Sequence, residues 1–190
     1  MNRSRETKAL ISIGIIGLII LFGAPHSLDL CSVISLTTAV SLAILALSLG
    51  LIWGFGGILC FGQTAFFGIG GYAYAIAALN FGGSTGAILA ALIVAAGSAA
   101  VLGYFMFYGR LSDVYLAVIT LTVTLILYSV IRRTSGPEYK IGIAKLGGFN
   151  GINVPPINYP WDATQFLYPE HVFYVAMVAL LLAYFLCVWV

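Results

Sequence analysis

Residues 50–74 read GLIWGFGGILCFGQTAFFGIGGYAY, from Gly50 to Tyr74: eight glycines, one carboxamide (Gln63) and no ionised side chain. The stretch lies within a longer charge-free gap, Leu30 to Gly109, so it offers no polar face to water. Glycine at this density lets neighbouring helices approach closely, and Gly50 with Gly54 forms a small-xxx-small pair. It also weakens a helix. This is the pattern of membrane-embedded helix with a built-in weak point, where the chain would break or unwind at mid-membrane. Close packing alone accounts for the glycines equally well.

The rest of the chain has the same character. Of 190 residues, 62% are apolar and 7% charged, with mean hydropathy +1.08. Soluble domains carry about a quarter charged residues, so too few charges exist here to cover a water-facing surface. A soluble enzyme, a nucleic-acid-binding module and a disordered linker are excluded. The net charge of +2 is too small to imply a polyanionic partner, and no nucleic-acid partner is expected.

The charges mark the crossings. A helix needs ~20 mostly apolar residues to span the hydrocarbon layer. The gaps 9–24, 114–131 and 171–190 fit one crossing each, and clusters of Gly, Asn and Ser divide the long gap into 31–51, 58–79 and 87–108. Runs such as Ala87-Ile88-Leu89-Ala90-Ala91-Leu92 do not alternate, which rules out a transmembrane β-barrel. The expectation is an all-α integral membrane protein of about six helices, one transmembrane domain over 1–190, with 132–170 as a long outer loop and membrane lipid as its surroundings.

Arg3, Arg5 and Lys8 before the first helix place the amino terminus in the cytoplasm. Three crossings later Arg110 returns to that side, in agreement. The loop 132–170 then lies outside although it carries Arg132, Arg133, Lys140 and Lys145, four basic residues against four; the first helix decides. A secretory signal competes for residues 1–24, but Gly23-Ala24-Pro25-His26 lacks a small-x-small cleavage pattern.

Chemistry is sparse. Cys31, Cys60 and Cys187 show no metal-ligand spacing and pack as small apolar residues, so no metal is expected. Gly68-Ile69-Gly70-Gly71-Tyr72-Ala73 matches the dinucleotide pattern G-x-G-x-x-A. It lacks the soluble strand before it and the acidic residue ~20 positions on, so that reading fails. No acidic pair lies inside a span, Asp113 beside Arg110 reads as a helix-start pair, and no phosphate-binding loop occurs. No catalytic residue and no cofactor is expected. A carboxamide in lipid needs partners, so Gln63 faces either other helices or an aqueous lining. The loop 132–170, with Gly136-Pro137, Gly147-Gly148, Pro155-Pro156 and Pro160, reads as turn-rich rather than a domain; Tyr159, Trp161 and Tyr168 suit an interfacial belt. It serves either as a docking surface or as a connector over the bundle.

Three blocks carry a resemblance. Phe61-Gly62-Gln63 followed by Ala65-Phe66-Phe67-Gly68-Ile69-Gly70-Gly71-Tyr72, then Asp113-Val114-Tyr115-Leu116-Ala117-Val118-Ile119-Thr120-Leu121-Thr122, then Gly147-Gly148-Phe149-Asn150-Gly151-Ile152 resemble the branched-chain amino acid ABC transporter permeases. That group includes urea and short-amide importers, and the blocks do not distinguish the solutes. The resemblance implies a pore-forming subunit in a bacterial inner membrane. Its partners would be a second permease subunit, cytoplasmic ATPase subunits and an extracytoplasmic solute-binding protein. It implies Gln63, Phe66, Phe67 and Tyr72 near the solute path; from their own density, Gly54, Gly57, Gly62, Gly68, Gly70 and Gly71 are the packing or break positions. Family members continue with a cytoplasmic coupling segment and further helices, so a chain stopping at Val190 is expected to be an amino-terminal part. The competing readings are a sodium-coupled carrier or facilitative channel for a small polar solute such as urea, and a membrane scaffold.

Overall fold

The computed structural model describes residues 14, 17, 19–23, 25, 28–109, 112–160 and 162–189. Five long helices are defined: α1 (Leu30–Gly56), α2 (Gln63–Phe81), α3 (Ser84–Tyr108), α4 (Asp113–Arg133) and α5 (Pro169–Trp189). All five are long and apolar enough to cross a membrane. Large apolar side chains stand exposed along them, Phe81 at 82% and Trp189 at 78% among the most open. In water such a surface would aggregate; against lipid it is the expected exterior. The architecture is that of an all-α integral membrane protein.

The expected spans 31–51, 87–108, 114–131 and 171–190 correspond to α1, α3, α4 and α5. Most of the first, 9–24, lies outside the described residues, as do Arg110 and Trp161. The span expected at 58–79 differs: its helix begins only at Gln63. Residues 57–62 are not helical, because Gly57 takes φ +67 and ends α1.

The chain forms two compact units, residues 1–51 with 168–190, and residues 52–167. The first is centred on Val33 and Val40, two turns apart on α1, against Phe173 and Met177 on α5, with Leu21. Spacings of seven and four place each pair on one helix face. On α1, Ser35, Thr37, Thr38 and Ser41 each donate to the carbonyl four residues back, at 2.8–3.2 Å. Each hydroxyl thereby satisfies itself without leaving the helix.

In the second unit α2 and α3 form a helical hairpin. Gly82, at φ 71, caps α2 through its N–H to Ala78 O at 2.9 Å. The two helices meet over Ala77, Ala78 and Ala87, and a methyl on Gly70 would stand 3.5 Å from the Ala95 Cβ. Small residues permit this approach. α4 starts on Asp113 and ends on Arg132 and Arg133, the charge order that favours a helix dipole.

The connector 132–170 contains antiparallel pairs β1 (Lys140–Ile141) with β2 (Ala144–Lys145) and β3 (Asn158–Tyr159) with β4 (Asp162–Phe166). A 3-10 turn, Gly148–Asn150, lies between them. Polar pins tie it to the helices. Asn80 near the end of α2 donates to Ile141 O at 3.0 Å and accepts from Ile143 N–H at 3.1 Å, holding the first hairpin as a strand neighbour would. Asn158 Oδ1 accepts the Ser84 N–H at 2.8 Å at the start of α3, and Ser84 Oγ donates to Asn158 O at 3.0 Å. Gly148, at φ 54, lies so close to Ser135 that a Cβ would meet that residue's backbone 2.6 Å away. The turn-rich loop is therefore fastened to the helices at Asn80 and Ser84 and folded back on itself at Gly148.

Candidate functional site

The unwound segment 57–62 exposes a backbone problem that the fold must solve. In hydrocarbon, an unpaired N–H or C=O costs several kcal/mol, on the order of an unmade hydrogen bond. α1 makes its last bond from Gly57 N–H to Trp53 O at 3.0 Å, and α2 takes up the ladder with Phe66 N–H to Gly62 O at 3.1 Å. Between them, two threonines of α4 serve Phe61. Its N–H donates to Thr120 Oγ1 at 3.1 Å, and the Thr124 hydroxyl, which donates to Thr120 O at 2.8 Å, shares its proton with the Phe61 carbonyl at 3.3 Å. Thr120 is 1% exposed and directs its own proton to Leu116 O and Ala117 O, at 2.9 and 3.0 Å. Its oxygen is thus oriented to accept.

Depth follows from helix geometry. α4 has 21 residues, or ~30 Å at ~1.5 Å per residue, which puts Thr120 and Thr124 ~10 and ~16 Å from its Asp113 end. The clamp therefore sits near the middle of the span. Irregular backbone at such depth is tolerated where protein or an aqueous cavity surrounds it. Transporters use discontinuous helices of this kind at their binding sites.

The candidate residues separate. Gln63 is the first residue of α2 and half-buried beside the break. Phe66 lies one turn on, with its ring 3.4 Å from where a Gly62 Cβ would stand; Thr120 Cβ is equally near that point. Gly62 is thus a close-approach position and Gly57 the break. Gly70 packs on α3, whereas Cβ atoms on Gly54, Gly68 and Gly71, and on Gly50, would meet nothing within 4 Å. Phe67 is 55% exposed, away from the clamp. Tyr72 lies nine residues beyond Gln63, ~14 Å along the axis, level with Ile131 and Arg132. There it lines two clefts, one of about 850 Å³ among α2, α3, α4 and the first hairpin, and one of about 350 Å³ beside the 3-10 turn.

Sequence reasoning passed over Thr120, Thr124, Asn80 and Arg132. The i,i+4 pair of hydroxyls inside an apolar span was a usable signal, but Thr122 has the same look and bonds only its own helix, to Val118 O at 2.8 Å. Arg132 stacks over Phe149, guanidinium carbon to ring centre 5.1 Å. Among the described residues no group of His, Cys, Asp or Glu is placed to hold a metal.

No curated protein and no solved structure matches the chain. A family model described as branched-chain amino acid transport system / permease component matches residues 32–190. That match runs through α1 to α5, the unwound segment and the fastened connector. With apolar helices throughout and a transport component as its family, the chain is a multi-pass membrane permease of a transporter complex. It belongs to the branched-chain amino acid transport permease family.

Proposed function

We propose that this permease is the pore-forming subunit of an ATP-driven importer that carries branched-chain amino acids, or a related small polar solute such as urea or an amide, across a bacterial inner membrane. The observation that supports it most is the helix break at mid-span, held by Thr120 and Thr124 with Gln63 and Phe66 beside it. A broken helix brings backbone dipoles and a carboxamide to the depth where a polar solute must shed water. Gln63 and Phe66 line the path at the break. ATP is hydrolysed on separate ATPase chains in the cytoplasm. A second permease completes the pore, and an extracytoplasmic binding protein delivers solute to the connector, where exposed Lys140 and Lys145 oppose each other across the first hairpin. Like charges in that register destabilise a hairpin unless a partner offsets them.

The test is uptake of labelled leucine and urea into vesicles holding the assembled transporter. Transport should require ATP and all partners, and Gln63→Ala should lower its rate about threefold to tenfold, the scale of one polar contact inside a membrane. Uptake by this chain alone without ATP would instead identify a carrier or channel. Unchanged rate and solute preference in Gln63→Ala would remove that residue from the path.

A further inference from the structure

The two clefts beside Tyr72 share a wall and differ in chemistry. The larger, about 850 Å³, is walled by apolar side chains including Ile69, Ile76, Val94, Val130 and Leu146, while Asn80 at its end is already bonded to the hairpin backbone. Its α2 residues run from Ile69 to Phe81, ~18 Å along the helix. Phe81, Val94, Val130 and Ile141 leave its rim exposed and apolar. The smaller cleft, about 350 Å³, shares Tyr72 and Ile131 with it and is faced by Tyr128, Arg132, Phe149 and Asn150. Stacking on Phe149 holds the Arg132 guanidinium by its face, which leaves the in-plane N–H donors for a ligand. Among the described residues Arg132 is paired with no carboxylate.

We propose that the two clefts form one site for an anionic phospholipid, with an acyl chain in the larger cleft and the phosphate on Arg132. Arg132 lies in the last turn of a membrane span, at the level where lipid headgroups meet basic side chains. The phenols of Tyr72 and Tyr128 suit the same boundary, apolar ring below and hydroxyl above. A free amino acid fits poorly. Its ammonium group would stand beside a guanidinium with no acidic side chain in the lining to receive it, and burying an unpaired charge is costly. A lipid whose charge is its phosphate has no such conflict, and its chain covers the exposed apolar rim.

The full chain, purified in mild detergent, is offered equimolar phosphatidylglycerol and phosphatidylcholine with identical acyl chains, and retained lipid is read by native mass spectrometry. The wild type should retain phosphatidylglycerol about fivefold to tenfold over phosphatidylcholine, the scale of one basic residue at a membrane surface. Arg132→Gln should bring the ratio to parity, and Arg132→Lys should keep most of it. Val94→Trp, which fills the larger cleft from its exposed rim, should lower retention of both lipids. No preference in the wild type, or an undiminished preference in Arg132→Gln, overturns the proposal. So does displacement by glycerol phosphate at the concentration where intact phosphatidylglycerol competes, because that result makes Arg132 a simple anion site without the cleft.

Discussion

Thr120 concentrates the chemistry of the second unit in one hydroxyl. It is buried, it accepts from the unwound segment at Phe61, and its proton is already committed to α4. Thr120→Val keeps the shape and removes the acceptor, so the Phe61 N–H is left unpaired in an apolar setting. The expected loss is about 1–3 kcal/mol, read as a lower melting temperature in detergent, with Thr120→Ser close to wild type. An unshifted melting point in the valine variant would mean that the clamp contributes nothing. On the connector, the Asp162 carboxylate accepts from Thr164 Oγ1 at 2.6 Å and from Thr164 N–H at 3.0 Å. The hydroxyl bond first, then the amide bond, hold its pKa below the ordinary carboxylate value. A depressed folded pKa adds stability that is fully present above the unfolded value, about 3.9, and lost as pH falls through the folded one. The Thr164 amide chemical shift should therefore hold its hydrogen-bonded value at neutral pH and move only below that range. Asp162→Asn should remove the pH dependence.

At the scale of elements, the decisive feature is that α1 and α2 are two helices rather than one. Gly57 permits the break with φ +67, a conformation that costs an L-residue about 1–2 kcal/mol. Gly57→Ala should therefore destabilise by about that amount. Gly54→Ala, inside α1 and facing open space, should be neutral or stabilising by up to about 1 kcal/mol. Thermal unfolding of the two variants side by side separates a conformational requirement from a packing one. Equal effects would show that Gly57 is only another glycine. The connector repeats the logic with side chains. Asn80 and Asn158 imitate backbone partners and so turn a loop of short strands into a fixed surface.

Across the whole molecule, four of the six expected apolar spans coincide with helices, while the one expected at 58–79 starts late at Gln63 and most of 9–24 lies outside the described residues. The bilayer leaves an apolar run few other ways to satisfy its backbone. The orientation is the remaining choice, and the basic residues divide evenly between the two expected sides. Lys140 and Lys145 are exposed on the connector, so a membrane-impermeant amine reagent reports it. Labelling of these lysines in intact cells places the connector outside, where a binding protein could reach it. Labelling only in inverted vesicles would reverse the topology and end the docking role. Gln63, Phe66, Phe67 and Tyr72 are the positions that the family resemblance implies near the solute path. In three dimensions Gln63 and Phe66 remain together, while Tyr72 sits ~14 Å away and Phe67 turns outward, since a helix rotates ~100° per residue and distributes neighbours over all its faces.

Composition and the spacing of charges alone determined that this protein lives in lipid, as helices, and singled out its glycine-rich stretch as either a weak point or a close-packing surface. Those properties are local: hydropathy, length and glycine content act through each segment's own transfer and backbone energies. Only the tertiary structure decided where the helix gives way, which threonines satisfy the freed backbone, and how Asn80, Asn158 and Arg132 are employed. Each of these depends on a partner roughly 15 to 75 positions away in sequence, and a hydrogen bond is a property of two groups meeting, invisible in either one.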